Sequence, residues 1–117
     1  MLKKFILAAP IAAMLSVPSV HANDDTVRVG INLTLSTPAS ILGLNSKAGF
    51  EVALKHLGGK VAGKKIELIF EDNQFKPAIG KQKSEKLVKK DKVHFLTGFI
   101  FSHILAASAP VGLKAGK

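Results

Sequence analysis

"VRVGINLTLSTPASILG", residues 27–43, is the stretch on which the fold turns. Its first seven residues have the length and β-branched content of a buried strand. Ser36, Thr37 and Ser40 then cluster around Pro38, and a helix-like pattern begins. Two later segments have the same design. "KIELIFE" (65–71) and "KVHFLTG" (92–98) read as strands, and each leads into a helical stretch.

The first helical stretch, 40–57, places Ile41, Leu44, Ala48, Val52 and Leu57 near one face, expected to be the core face, and Gly58-Gly59 stops it. The second, 77–90, opens with Pro77 at a first-turn position and ends among lysines suited to a helix C-terminus. It looks poorly formed, because Gly80, Lys81 and Ser84 fall where packing favours apolar residues. Only Ala78, Ile79, Leu87 and Val88 are left to face a core. The third, 102–117, is alanine-rich and starts with Ser102 as a candidate cap. "GGKVAGKK" (58–65) reads as a turn-rich connector. Strand-helix three times over, joined by right-handed crossovers, predicts an α/β fold: a three-layer unit with a parallel sheet. A parallel sheet needs cover on both faces, and three helices give it thinly. The unit therefore reads as the front of something larger.

The first 22 residues read as a leader. A basic start, Lys3-Lys4, precedes a 13-residue apolar run, and Val20-His21-Ala22 puts small residues at the −3 and −1 positions of a signal-peptidase site. That run is too short for the roughly 20 residues of a membrane span. Cleavage after Ala22 leaves residues 23–117, enough for one small domain, and no second domain is expected. The sequence has no cysteine, so no disulfide supports the exported chain. The charge is +9, and beyond the leader fourteen of the fifteen basic residues are lysines. With one arginine and no Trp or Tyr, that pattern describes a solvated surface and argues against nucleic-acid binding.

In open α/β sheets, ligands bind beyond the carboxyl ends of the strands. The loops there are 34–40, 72–76 and 99–102. The first and third carry hydroxyls and precede helix starts, where free N–H groups favour a carboxylate. Catalysis is not expected. Asp24-Asp25 lies at the mature terminus, Glu71-Asp72 ends a strand, and no nucleophile elbow, dinucleotide fingerprint or P-loop occurs. His56, His94 and His103 have no ligand partner at i+3 or i+4, so no metal site is expected. His94 reads as a core histidine held by a hydrogen bond. No cofactor is implied.

The elements "VGINLTLSTPASILG", "GGKVAGKKIELIFEDNQFKPA" and "KLVKKDKVHFLTGFIFS" resemble, in order and spacing, the opening of branched-chain amino-acid type substrate-binding proteins. These are the periplasmic components of ABC importers, with the type I periplasmic-binding fold. The likeness covers nearly all of residues 27–111. It implies a periplasmic protein whose two lobes close on an amino acid or related small carboxylate, which an inner-membrane ABC permease then receives. Residues 23–117 would form part of the first lobe. On the same likeness Ser102 holds the ligand carboxylate, Phe101 lines the pocket, and Leu42 occupies an often aromatic position against the ligand side chain. Ser36 belongs to a serine-containing turn that shapes the loop more than it touches ligand. Leu42 in place of an aromatic points away from a simple aliphatic amino acid. One wall of a cleft is not expected to bind tightly alone. The alternative is a small autonomous exported α/β interaction protein that self-associates through its bare sheet edges.

Overall fold

A computed structural model describes residues 25–117. The leader reading falls on residues 1–22, outside the described residues. The elements are β1 (Thr26–Leu33), α1 (Ser40–His56), β2 (Lys60–Val61), β3 (Lys64–Asp72), α2 (Pro77–Lys89), β4 (Phe95–Thr97) and α3 (Ser102–Lys114). They build one four-stranded sheet in the order β2-β3-β1-β4. β1 lies in the centre, parallel to β3 from Thr26↔Lys65 to Leu33↔Asp72, and parallel to β4 from Val29↔Phe95 to Ile31↔Thr97. The α/β reading holds, with helices on both faces of a mainly parallel sheet.

Three corrections concern the strands. The 58–65 connector contains a strand: Lys60–Val61 pairs antiparallel with Lys64–Lys65 across a tight turn. Ala62 and Gly63 take positive φ there, 49° and 77°, as a two-residue hairpin requires. The third strand is only three residues long, because Lys92 (φ 51°) turns the chain and Val93 instead bonds back to Leu87 at the end of α2. His94 is exposed rather than buried, although its Nδ1 does accept the Arg28 N–H at 3.0 Å.

Side-chain alternation along β1 separates the two faces. A Cβ at Gly30 would meet Val93 and Leu87, and Asn32 reaches α2, so the even positions face α2. The odd positions Val27 and Val29 face the side of α1, as do Ile66, Leu68 and Phe70 of β3.

On the α2 face the packing is close. Gly80 and Ser84, read as faults in a poor helix, are both fully inside. A Cβ at Gly80 would lie 2.7 Å from Ile104 Cγ2, so the missing side chain is what lets α2 and α3 touch. The Asn32 amide donates to the Gly80 carbonyl at 2.8 Å and to Ser84 Oγ at 2.9 Å, stitching β1 to α2. Leu87, Val93 and Ile104 complete the core on this face. Lys81 points outward. The Glu71 carboxylate, at the end of β3, takes Lys83 at 2.8 Å and also Lys86, which reaches on to Asp91 at 2.9 Å. Partial burial pushes the Glu71 carboxyl up, but the two ammonium groups outweigh it and hold it below its ordinary value. The same pair, with Asp91, raises Lys86.

On the other face α1 stands nearly alone. Its sheet-facing residues are Gly43, Lys47, Phe50 and Leu54; Phe50 meets Phe70 edge-on at 6.4 Å, and Lys47 lies 5.4 Å above the Phe70 ring. The stripe expected to face the core therefore points to solvent: Ile41 is 62% exposed and Val52 53%. The helical period was right and its phase was wrong.

Candidate functional site

The carboxyl ends of β1, β3 and β4 open onto three loops, and two acidic-amide side chains tie the first two together. Asp72 closes β3 opposite Leu33. Its Oδ1 accepts the N–H groups of Leu35 and Gln74, both at 2.9 Å, and its Oδ2 accepts the Ser36 hydroxyl at 2.6 Å. Desolvation raises the Asp72 carboxyl, yet these donors prevail and hold it below its ordinary value. Next to it, Asn73 Oδ1 accepts the Thr34 hydroxyl at 2.6 Å and the Phe75 N–H at 3.0 Å. The Asn73 N–H donates to the Leu33 carbonyl at 2.8 Å. These bonds hold Gln74 and Phe75 at φ values of 53° and 60°, and Thr37, whose carbonyl accepts the Ser40 N–H at 3.1 Å, takes 76°, a left-handed region that side-chain-bearing residues visit rarely. Such conformations persist only where surrounding structure enforces them.

The third loop is fixed by Gly98. Its φ is 113°, and a Cβ there would lie 2.7 Å from the Asn32 carbonyl oxygen. From it the chain reaches Phe101 and then Ser102, which is the first residue of α3 rather than its cap. Phe101 holds the cap position and no side chain caps the helix. Ser102 and His103 are exposed. The first amides of a helix have no intrahelical acceptor, so the start of α3 presents donors and a positive dipole end to an anion.

Aromatic rings gather beside that start. Phe75, from the second loop, packs edge-on against Phe101 at 4.6 Å and against His103 at 4.7 Å. The strained backbone at Gln74-Phe75 is what swings the ring across to the third loop. Leu42, in the first turn of α1, is 49% exposed. The structure thus brings Phe101 and Ser102 together at the start of α3. Leu42 lies one element away, and the Ser36 hydroxyl is engaged by Asp72. Sequence reasoning missed Phe75, His103, Asp72 and Asn73. The "DNQF" run between a strand and a helix-starting proline was the available signal; 72–76 was read as one of the carboxyl-edge loops, but none of its residues was assigned to the site.

A central parallel strand with loops gathered at its carboxyl edge is the arrangement at which open α/β sheets take ligands, and it defines an α/β lobe of that class. Residues 26–117 match the family model for periplasmic binding proteins, and the chain belongs to that family. Within it, the chain falls among the branched-chain amino-acid type of type I fold. It is 34% identical over 116 residues to the Leu/Ile/Val-binding protein homolog 6 of Brucella abortus, covering 98% of this chain and 29% of that relative. A solute-binding protein of an ABC transporter from Rhodopseudomonas palustris, solved with 3,4-dihydroxybenzoic acid, superposes with a TM-score of 0.74 at 30% identity, over 77% of this chain and 25% of that one. The branched-chain amino-acid binding protein LivJ of Streptococcus pneumoniae, solved with isoleucine, gives 0.73 at 28% identity, over 78% and 27%. The chain spans less than a third of the length of the curated relatives it matches.

Proposed function

We propose that this chain forms one wall of the solute site of an ABC importer's periplasmic binding protein. The wall takes a small carboxylate, aromatic acids ahead of aliphatic amino acids. The observation that carries this reading is the juxtaposition at the start of α3: exposed Ser102, with the N–H groups of Ser102 and His103, beside the Phe75–Phe101–His103 ring cluster. The Ser102 hydroxyl and the helix start hold the carboxylate. Phe75 and Phe101 offer ring faces and edges at the spacing aromatic pairs prefer, while Leu42 supplies an apolar side. The benzoate-bound relative supports that preference. Ser36, Asp72 and Asn73 position the loops.

Small-molecule sites bury most of their ligand, and this wall is open. Tight capture therefore needs an opposing wall, and the chain by itself binds weakly, with a Kd on the order of millimolar. The periplasmic location follows from cleavage after Ala22, so mass spectrometry of the exported protein should place its N-terminus at Asn23. Delivery goes to an inner-membrane permease.

Ligand-observed NMR with 3,4-dihydroxybenzoate and isoleucine tests the site. Saturation transfer to the aromatic acid should exceed that to isoleucine and fall at least tenfold in Ser102→Ala. Equal transfer to both ligands would remove the aromatic preference while leaving the carboxylate site. No transfer to either would remove the site.

A further inference from the structure

Charge is spread unevenly over the fold. Residues 76–117 carry nine lysines against Glu85 and Asp91, whereas residues 25–75 carry six basic against five acidic residues. Nearly all of the positive excess therefore lies on the segment that forms α2 and α3, and such an asymmetry points to an anionic partner. Lys83 and Lys86 turn to Glu71, and Lys86 also holds Asp91. Among the described residues, Lys81 and Lys114 have no carboxylate partner, and Lys89 has only Glu85, at 3.9 Å. Those three ammonium groups surround one groove between α2 and α3, with a volume of about 430 Å³. Val88 and Val111, both half-buried, line it with the Pro110 ring, and Glu85 is its one acid. Both walls are helices seated on the sheet and on each other through Gly80 and Ile104, so the groove belongs to the α2–α3 layer itself.

We propose that this groove docks an acidic, amphipathic helix of a partner protein. Charge spacing and shape select that occupant. Lys81 and Lys89 stand eight residues apart on α2, about 12 Å along its axis, and Lys114 rises from the opposite wall. A small carboxylate meets one of these ammonium groups. A helix with carboxylates at i and i+7 or i+8 meets both on α2 and has room for a third acid facing Lys114. The apolar strip is recessed between the two helices, so it receives a ridge of apolar side chains, the helix-in-groove mode, rather than the flat surface of a bilayer. Exposed ion pairs are individually weak, so the ridge supplies most of the affinity, and the lysines set orientation and the rate of encounter. A partner carboxylate would also take Lys89 from its loose contact with Glu85. The groove shares no residue with the three carboxyl-edge loops, so this inference stands apart from the ligand reading.

Fluorescence anisotropy of the full chain with two labelled, sixteen-residue helical peptides tests this. Both contain the same alanines, leucines and four glutamates. In the first the glutamates flank a leucine ridge on one face, and in the second they are distributed around the helix. The first should bind with a Kd on the order of tens of micromolar and weaken about tenfold between 50 and 300 mM salt. The second should bind about tenfold more weakly. Lys81→Glu combined with Lys114→Glu, both at exposed positions, should weaken the first peptide about tenfold with circular dichroism unchanged. Lys60→Glu combined with Lys64→Glu makes the same charge change on the exposed β2–β3 hairpin and should leave binding within about twofold. Equal affinity for the two peptides, or equal losses in the two lysine pairs, reduces the effect to net charge and overturns the proposal. So does the absence of binding at 1 mM peptide, or binding that survives the Lys81 and Lys114 changes. Vesicles one-third phosphatidylglycerol that hold the chain more tightly than the first peptide would assign this face to a lipid surface and overturn it as well.

Discussion

The two faces of the sheet are made from the same strand in opposite ways. Toward α2, β1 presents Arg28, Gly30 and Asn32; toward α1 it presents Val27, Val29, Ile31 and Leu33. The polar face is the tightly packed one. Gly30 and Gly80 let backbones approach, Asn32 bonds across the contact, and Leu87, Val93 and Ile104 fill the remaining space. The apolar face is the more open one: Ile31 and Leu33 are buried at its carboxyl end, but it carries a single helix whose outer stripe is itself apolar. Apolar content alone therefore does not locate the core of this chain. Complementary shape does, with small residues and hydrogen bonds such as those from the Asn32 amide to Gly80 and Ser84 where two elements meet.

The largest effect should come from the one place where α1 docks as closely as α2. A Cβ at Gly43 would lie 1.8 Å from the Thr34 carbonyl oxygen, a backbone atom that cannot rotate away. Gly43→Ala should cost more than about 4 kcal/mol and abolish cooperative melting. A variant that melts normally would mean α1 is not seated on the first loop at all. Next comes the direct contrast between faces. Leu87→Ala removes a fully buried side chain and should cost about 2–5 kcal/mol, whereas Val52→Ala, on the outer stripe, should cost less than about 0.5 kcal/mol in dilute solution. Similar losses in urea denaturation would erase the distinction.

Much of this was legible beforehand. Strand and helix positions followed from β-branched runs, Pro77 and Gly58-Gly59, and the carboxyl-edge loops followed from the alternation. What escaped was phase and partnership. Ile41, Leu44, Ala48 and Val52 have helical spacing, but so do Gly43, Lys47, Phe50 and Leu54. Choosing between the two rows requires knowing that Thr34 leaves room only for glycine. Gly80 and Ser84 looked like defects because a one-dimensional pattern does not show that Ile104 and Asn32 arrive opposite them. Phe75 was invisible as a site residue because its position depends on two successive left-handed residues, held by Asp72 and Asn73.

Acid should expose the difference between loop and core. Asp72 and Glu71 both have depressed folded-state values, so each stabilises the fold above the ordinary carboxylate range near ~4, and that stabilisation is lost as pH falls below it. Asp72→Asn keeps one acceptor oxygen but loses the charge, and should cost about 1–2 kcal/mol at neutral pH. The variant's stability should decline less than the parent's between pH 5 and about 3, because one of the two linked carboxylates is gone. An unchanged acid limb would assign the linkage to Glu71 alone, on the α2 face.

The smallest effect has the opposite sign. Gly49 sits inside α1, where glycine weakens a helix by about 0.5–1 kcal/mol relative to alanine. Unlike Gly43, six residues earlier, it has nothing within 4 Å of where a Cβ would stand. Gly49→Ala should therefore stabilise the fold by about 0.5 kcal/mol, a rise in Tm of about 2–4 °C measured at low micromolar concentration. Two glycines in one helix would then respond in opposite directions. The reason is that the helix touches the molecule at its first turn and turns an open flank to solvent at its middle. A loss of stability in the Gly49 variant would show that flank already occupied, and the sheet's two faces would be less different than their packing makes them.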